Sequence, residues 1–124
     1  MRVLITGGSS GLGQSIVETL SKDQENFVFF TYNLSAVNAE KISKGKENVR
    51  AIKCDFTDNK ELNGFIKKIQ SLEIDVLVNN FYSWPKNPIL PGTFLNEHFH
   101  KINSQLFIEE FKRNIIPTIL INTG

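Results

Sequence analysis

The stretch VLITGGSSGLG, Val3 to Gly13, decides how the rest of the chain is read. An apolar, β-branched run leads into glycines and serines, after which Leu12, Ile16 and Leu20 recur four apart, as on one face of a helix. Gly7 and Gly8 permit a backbone turn that side chains would block. Gly11 lets the backbone approach a pyrophosphate, and Gly13 lets a helix pack tightly on a sheet. The free amides and the dipole at the helix start then face the anion, with the hydroxyls of Ser9 and Ser10 as further donors. A glycine-rich turn alone is also compatible with a plain loop. At the first βα turn of an alternating chain it points to nucleotide binding.

The alternation continues outward from this turn. Strands are expected at Arg2–Thr6, Phe27–Tyr32, Asn48–Cys54, Ile74–Asn79 and Thr118–Asn122. The second, FVFFTY, is continuously apolar and aromatic, as a strand buried on both faces is. The third places Val49, Ala51 and Lys53 opposite Arg50, Ile52 and Cys54, which suits a position at or near an edge. Helices are expected at Leu12–Ser21, at Ser35–Ser43, and behind Asp58. There Glu61 completes a capping-box spacing and Leu62, Phe65, Ile66, Ile69 and Leu72 form the apolar face. A fourth helix is expected at Leu95–Asn114, with Phe99, Ile102, Leu106 and Phe107 inward. Before it lies a loop, Asn80–Gly92, holding three of the four prolines. Strand and helix in alternation give a parallel sheet with right-handed crossovers.

Length and composition bound the function. The 124 residues suit one domain, residues 1–124, and the chain is 40% apolar and 22% charged with a net charge of +1. No basic stripe points to nucleic acid. No apolar run approaches a membrane span, and MRVLIT is too weakly apolar for a signal peptide. Cys54 is the sole cysteine, so neither a disulfide framework nor a multi-cysteine zinc site is available. A cytoplasmic protein is expected.

The turn reads Thr6-Gly7-x-x-x-Gly11-x-Gly13, and here the chain resembles the short-chain dehydrogenase/reductase family, whose cofactor motif is T-G-x-x-x-G-x-G. Three later stretches are similar to family motifs in the same order. CDFTD (Cys54 to Asp58) looks like the segment after the third strand, VLVNN (Val76 to Asn80) like the first half of N-N-A-G, and INSQLF (Ile102 to Phe107) like the helix segment carrying an active-site asparagine. The resemblance implies a Rossmann-like sheet of five strands in the order 3-2-1-4-5, helices on both faces, and a nucleotide across the carboxyl ends near strands 1 and 4. It places the cofactor against Thr6, Gly7, Ser9, Ser10, Gly11, Leu12 and Gly13. Asp55 would bond the adenine amino group with help from the Phe56 backbone, Asn79 and Asn80 would complete the site, and Asn103 would be the active-site asparagine. In the family that asparagine opens a local kink and holds a water for a proton relay.

Two departures shape the expectation. Phe81 and Tyr82 replace the small Ala-Gly pair of the family motif, and two aromatics there would crowd the cofactor's ribose or force the loop outward. Family members also carry a catalytic serine beyond the fifth strand and a Tyr-x-x-x-Lys pair on the next helix. The chain reaches Gly124 before any of them. The fold is therefore expected to be truncated, with Asn103 in a vestigial or supporting role and no turnover by the chain alone. Tyr82-Ser83-Trp84-Pro85-Lys86 has the Tyr-x-x-x-Lys spacing, but Pro85 within it opposes the helical turn that would align the pair. After the second strand, Thr31 to Ser35 contains no carboxylate to hold a ribose 2′-hydroxyl, while Asn33 and Ser35 can donate to a phosphate. This favours NADP over NAD. His98 and His100, two apart on a helix, diverge, and no metal is expected. The expected activity is hydride transfer from NADPH to a carbonyl or 3-oxoacyl group. The alternative is a non-catalytic nucleotide-binding or interaction protein. Either form is expected to associate with itself through the fourth helix or an open fifth strand.

Overall fold

In a computed structural model, which describes residues 1–82, 108–109 and 111–123, the β-rich runs pair as four parallel strands. They are β1 (Arg2–Ile5), β2 (Phe27–Tyr32), β3 (Val49–Lys53) and β4 (Val76–Val78), in the order β3-β2-β1-β4. The register sets Val3 against Val28 and Val76, and Val28 against Val49. The two-residue period then sorts the side chains. Val3, Ile5, Val28, Phe30 and Val49 bury on one face, and Leu4, Phe29, Ile52 and Cys54 on the other. As the sequence implied, β2 is covered on both sides and β3 is an edge.

Helices cover both faces. α1 (Gly11–Leu20) and α2 (Ala36–Ser43) bury Val17, Ala39 and Ile42 against the first face. α3 (Asn59–Gln70) buries Leu62, Phe65 and Ile69 against the second. Its start follows from the sequence: Asp58 accepts from the amides of Lys60 and Glu61 at 2.8 and 2.9 Å. The reciprocal half of the capping box is redirected. Glu61 instead accepts from the Asp55 amide at 2.8 Å and pairs with Lys53 at 2.9 Å. The cap therefore also anchors the segment after β3.

Residues 118–122 form a helix, not the fifth strand expected of them. A π-helical turn at Phe111–Ile115 runs into α4 (Ile116–Thr123). The physical reason is periodicity: Asn114, Pro117 and Ile121 are buried, a spacing of three and four, whereas a strand would bury alternate residues. Ile121 joins the core with Leu62 and Phe65. Pro117 has no amide to offer the carbonyl four residues back, and the wider π turn accommodates that missing bond. Thr118 Oγ1 donates to the Asn114 carbonyl at 3.0 Å, and Asn122 Nδ2 to Thr118 O at 2.7 Å, so polar side chains stitch a helix from β-branched sequence. The expected helix end at Asn114 is passed without a break. Among the described residues the sheet has four strands, and its second edge is β4.

Candidate functional site

The glycine turn lies where β1 ends and α1 begins, and its shape is fixed from three sides. Thr6, buried at the end of β1, accepts through Oγ1 from the amides of Asn80 and Phe81 at 3.1 and 3.0 Å. Asn80 Nδ2 returns two bonds, to the carbonyls of Thr6 and Gly7 at 3.2 and 3.0 Å. From β2, Thr31 Oγ1 accepts from the Gly7 amide at 2.9 Å and its carbonyl from the Gly8 amide at 3.0 Å. The strand ends thus hold the turn through hydroxyl and amide groups.

Two glycines show why the spacing matters. A Cβ on Gly13 would collide with the Gly7 carbonyl oxygen and lie 2.5 Å from Asn80 Nδ2, so α1 could not seat against the turn. Gly11 has a φ of +53° and nothing within 4 Å of where its Cβ would be, which leaves its backbone open to a ligand. Ser10 caps α1 in extended backbone without a side-chain bond to the helix, and no acidic residue occupies the first turn. The first amides of α1 have no intrahelical acceptor and present the positive end of the helix dipole.

A cavity of about 330 Å³ opens beside this turn, at the carboxyl ends of the strands. Gly7, Ser9 and Ser10 form one wall, Asn33, Leu34 and Ser35 the corner after β2, and Cys54 and Phe56 the side after β3. Asn80, Phe81 and Tyr82 close it from β4. Phe81 meets Phe56 edge-on, with ring centroids 4.8 Å apart, and packs on the core beneath α3 and α4, while Tyr82 is 55% exposed. One aromatic is therefore absorbed by the core and the other turned to solvent. Burial pushes the Cys54 thiol up to about 12.

The expected residues fall in several places. Gly7, Ser9, Ser10, Asn33, Ser35, Phe56 and Asn80 line the cavity. Thr6 and Gly13 lie behind the turn and shape it, and Leu12 is 70% exposed on the first turn of α1. Asp55 stands beside the cavity, where Thr57 donates to it from hydroxyl and amide at 2.6 and 2.9 Å. These bonds, with a further one from Asn33, hold its carboxyl below the ordinary range. Asn79 turns away and exchanges two amide bonds with Asn122 at 3.2 and 3.3 Å. Asn103, His98, His100 and the Ser83–Lys86 part of the Tyr-x-x-x-Lys run lie outside the described residues.

Sequence reasoning missed three contributors. Thr31 signals itself as the one hydroxyl among the buried residues of FVFFTY. Asn38 is a polar residue on the short helix α2, and Phe81 stands where the family motif has a small residue.

A glycine turn feeding a helix at the carboxyl ends of strands ordered 3-2-1-4 defines a dinucleotide-binding α/β domain. A family model for short chain dehydrogenases matches residues 1–122, and the chain belongs to that family. It is 31% identical, over 129 aligned positions, to a ketoacyl reductase, HetN, of a Nostoc species, covering 95% of this chain and 42% of that protein. It is 32% identical over 89 positions to a very-long-chain 3-oxoacyl-CoA reductase of Bos taurus, covering 67% of this chain and 28% of the other. Among solved structures, a mutant short-chain dehydrogenase/reductase of Serratia marcescens superposes with a TM-score of 0.73 at 26% identity, over 98% of this chain and 48% of that one. A Burkholderia cenocepacia short chain dehydrogenase, solved in complex with NADP, shares the fold with a TM-score of 0.74 at 23% identity, over 98% and 48% of the two chains. The chain spans less than half the length of these relatives.

Proposed function

We propose that this chain is the cofactor-binding portion of an NADP-dependent carbonyl reductase of the 3-oxoacyl type. The observation that carries the reading is the cradle itself: an open Gly11 and a Gly13 seated without a Cβ at the start of α1, next to a cavity at the strand ends that Gly7, Ser9 and Ser10 line. Ser9, Ser10 and the backbone from Gly11 to Gly13 would hold the phosphates, with Leu12 at the rim. The adenosine end would lie toward Asn33, Ser35 and Phe56. Asp55 would assist from beside the cavity, and Asn79 would support it indirectly by tying the end of β4 to Asn122. When bound, the cofactor supplies a hydride to the carbonyl carbon.

The preference for NADP rests on the corner after β2. Asn33, Leu34 and Ser35 line it without a carboxylate, and the nearby Asp55 is engaged by Thr57. The residues directly after β2 offer a 2′-phosphate the donors Asn33 and Ser35 and no acid of their own, while the charged Asp55, bonded by Asn33, bounds that corner. The substrate class rests on the names of the ketoacyl and 3-oxoacyl-CoA reductases to which the chain is similar. For the supporting asparagine we propose Asn103, as the family resemblance implies.

The 124 residues contain one Tyr-x-x-x-Lys run, Tyr82 to Lys86, and Pro85 interrupts it. Binding without turnover is therefore expected of this chain. Among the described residues no helix is long and apolar enough to cross a membrane, and we place the protein in the cytoplasm. Ile115, Ile119 and Leu120 stand 45%, 51% and 39% exposed near or on α4. This favours a second reading, in which the chain binds nucleotide without catalysis and associates through that helix.

Titration of the chain with NADPH and NADH, followed by nicotinamide fluorescence, tests the proposal. Saturable binding, tighter for NADPH, is expected. No saturable binding of either would remove the nucleotide reading, and tighter NADH binding would remove the cofactor preference. Steady oxidation of NADPH by a ketone, abolished by Tyr82→Phe, would show that the Tyr82 run is catalytic after all.

A further inference from the structure

We propose that Asn38, on α2, is a positioning residue for the ligand's phosphate: it holds the Ser9 carbonyl and so aims the Ser10 amide into the cavity. The inference rests on the nucleotide reading above and adds a residue outside the glycine motif. Asn38 Nδ2 donates one hydrogen to the Ser9 carbonyl oxygen and the other to Gln14 Oε1, at 2.9 Å for the latter. The direction of these bonds is fixed from α1. Gln14 Nε2 donates to the Glu18 carboxylate at 2.8 Å, and a carboxylate only accepts. Gln14 must therefore turn its oxygen to Asn38, and Asn38 must present its nitrogen to both acceptors.

The consequence lies in one peptide unit. The Ser9 carbonyl and the Ser10 amide belong to the same planar trans peptide, so they point in opposite directions. Tying the oxygen back to α2 turns the N–H away from α2, and Ser9 and Ser10 line the cavity there. An anion beside this turn needs amides toward it and carbonyl oxygens away from it. Asn38 provides the second condition and thereby the first. The anion is a phosphate of an adenine dinucleotide, either the bridging pyrophosphate or a ribose 2′-phosphate. The geometry leaves both within the class.

The test measures binding of adenosine, ADP and 2′-AMP to the chain and to Asn38→Ala by amide-resolved NMR titration. Loss of one hydrogen bond that orients a donor predicts a Kd roughly three- to tenfold higher for the phosphate-bearing ligands, and an unchanged Kd for adenosine. Weakening of ADP alone assigns the pyrophosphate, weakening of 2′-AMP alone the 2′-phosphate, and weakening of both a shared orientation of the turn. Equal binding by the variant, or equal weakening of adenosine, would overturn the inference while leaving the nucleotide reading intact. Failure of the unaltered chain to bind any of the three would overturn both.

A readout without ligand runs in parallel. The Ser10 amide resonance should move in Asn38→Ala and stay in place in Gln14→Ala, which keeps the Ser9 bond. The Gln14 variant should change the ADP Kd by less than about twofold. If Asn38→Ala does not fold, Asn38→Asp serves. It keeps the volume but sets a carboxylate against the Ser9 carbonyl, and its loss should exceed that of the alanine variant. An Asp variant that binds ADP as the unaltered chain does would sink the idea.

Discussion

Gly13, behind the glycine turn, and Cys54, on the cavity wall after β3, respond to different perturbations. Adding one methyl group at Gly13 drives it into the Gly7 carbonyl, and backbone atoms cannot step aside as a flexible side chain would. Gly13→Ala should therefore destabilise the fold by about 1–3 kcal/mol and weaken dinucleotide binding more than tenfold. Denaturant titration and ligand titration check the two effects, and Gly64→Ala, at a helical glycine with open space, is the matched control. Cys54 is a question of protons. Its thiol rises from 9.0 to about 12, chiefly through burial. The folded chain holds that proton more tightly than the unfolded one. The associated stability is complete below about pH 9 and is lost as pH rises toward 12. The denaturation midpoint of the unaltered chain should fall more steeply than that of Cys54→Ala between about pH 9 and 12. Parallel curves would exclude the thiol as the cause.

Among the elements, α4 separates what the sequence shows from what it hides. Residues 118–122 read as a strand because Thr118, Ile119 and Ile121 are β-branched, and propensity yields to tertiary packing. The correct period was present in Asn114, Pro117 and Ile121, but two of those three are residue types that do not mark an apolar stripe. β1, β2, β3 and α3 were legible because each carries a long run with one period and a cap or turn at its end. Most of the cavity wall was legible because the glycine turn dictates its own surroundings. The supports from Thr31 and Asn38 were not, since each acts across elements far apart in sequence, 24 and 29 residues from their partners Gly7 and Ser9. One comparison separates helix from strand at residues 118–122. In a strand Ile119 and Ile121 share a face, whereas in α4 Ile121 is 4% exposed and Ile119 51%. Ile121→Ala should cost about 2–4 kcal/mol and Ile119→Ala less than about 0.5 kcal/mol. Similar losses at the two positions would restore the strand.

At the scale of the whole molecule, the two edges that the sheet has among the described residues differ in kind. β3 carries Arg50 and Lys53, and Arg50 lies 5.5 Å from the centre of the Phe27 ring, so that edge shows charge to any approaching strand. β4 is short and apolar, its Val76 is 39% exposed, and α4 beside it leaves Ile119 and Leu120 in the open. An uncharged edge next to an apolar helix face favours contact with another chain, and a second copy of this one is always available at high concentration. Self-association should therefore track α4, not a fifth strand. Sedimentation velocity over a range of concentrations should show a species heavier than 14.1 kDa in the unaltered chain. Replacing Ile119 and Leu120 together by lysine should return the chain to the monomer, because two cations on an apolar contact oppose burial. Both positions are exposed, so the change should shift stability by no more than about 0.5 kcal/mol each. Val76→Lys tests the neighbouring edge separately. If association survives at α4 but fails at Val76, copies join through the sheet. If both variants remain associated, the contact lies elsewhere on the molecule. A chain that sediments as a monomer at every concentration would show that these exposed residues bind no second copy.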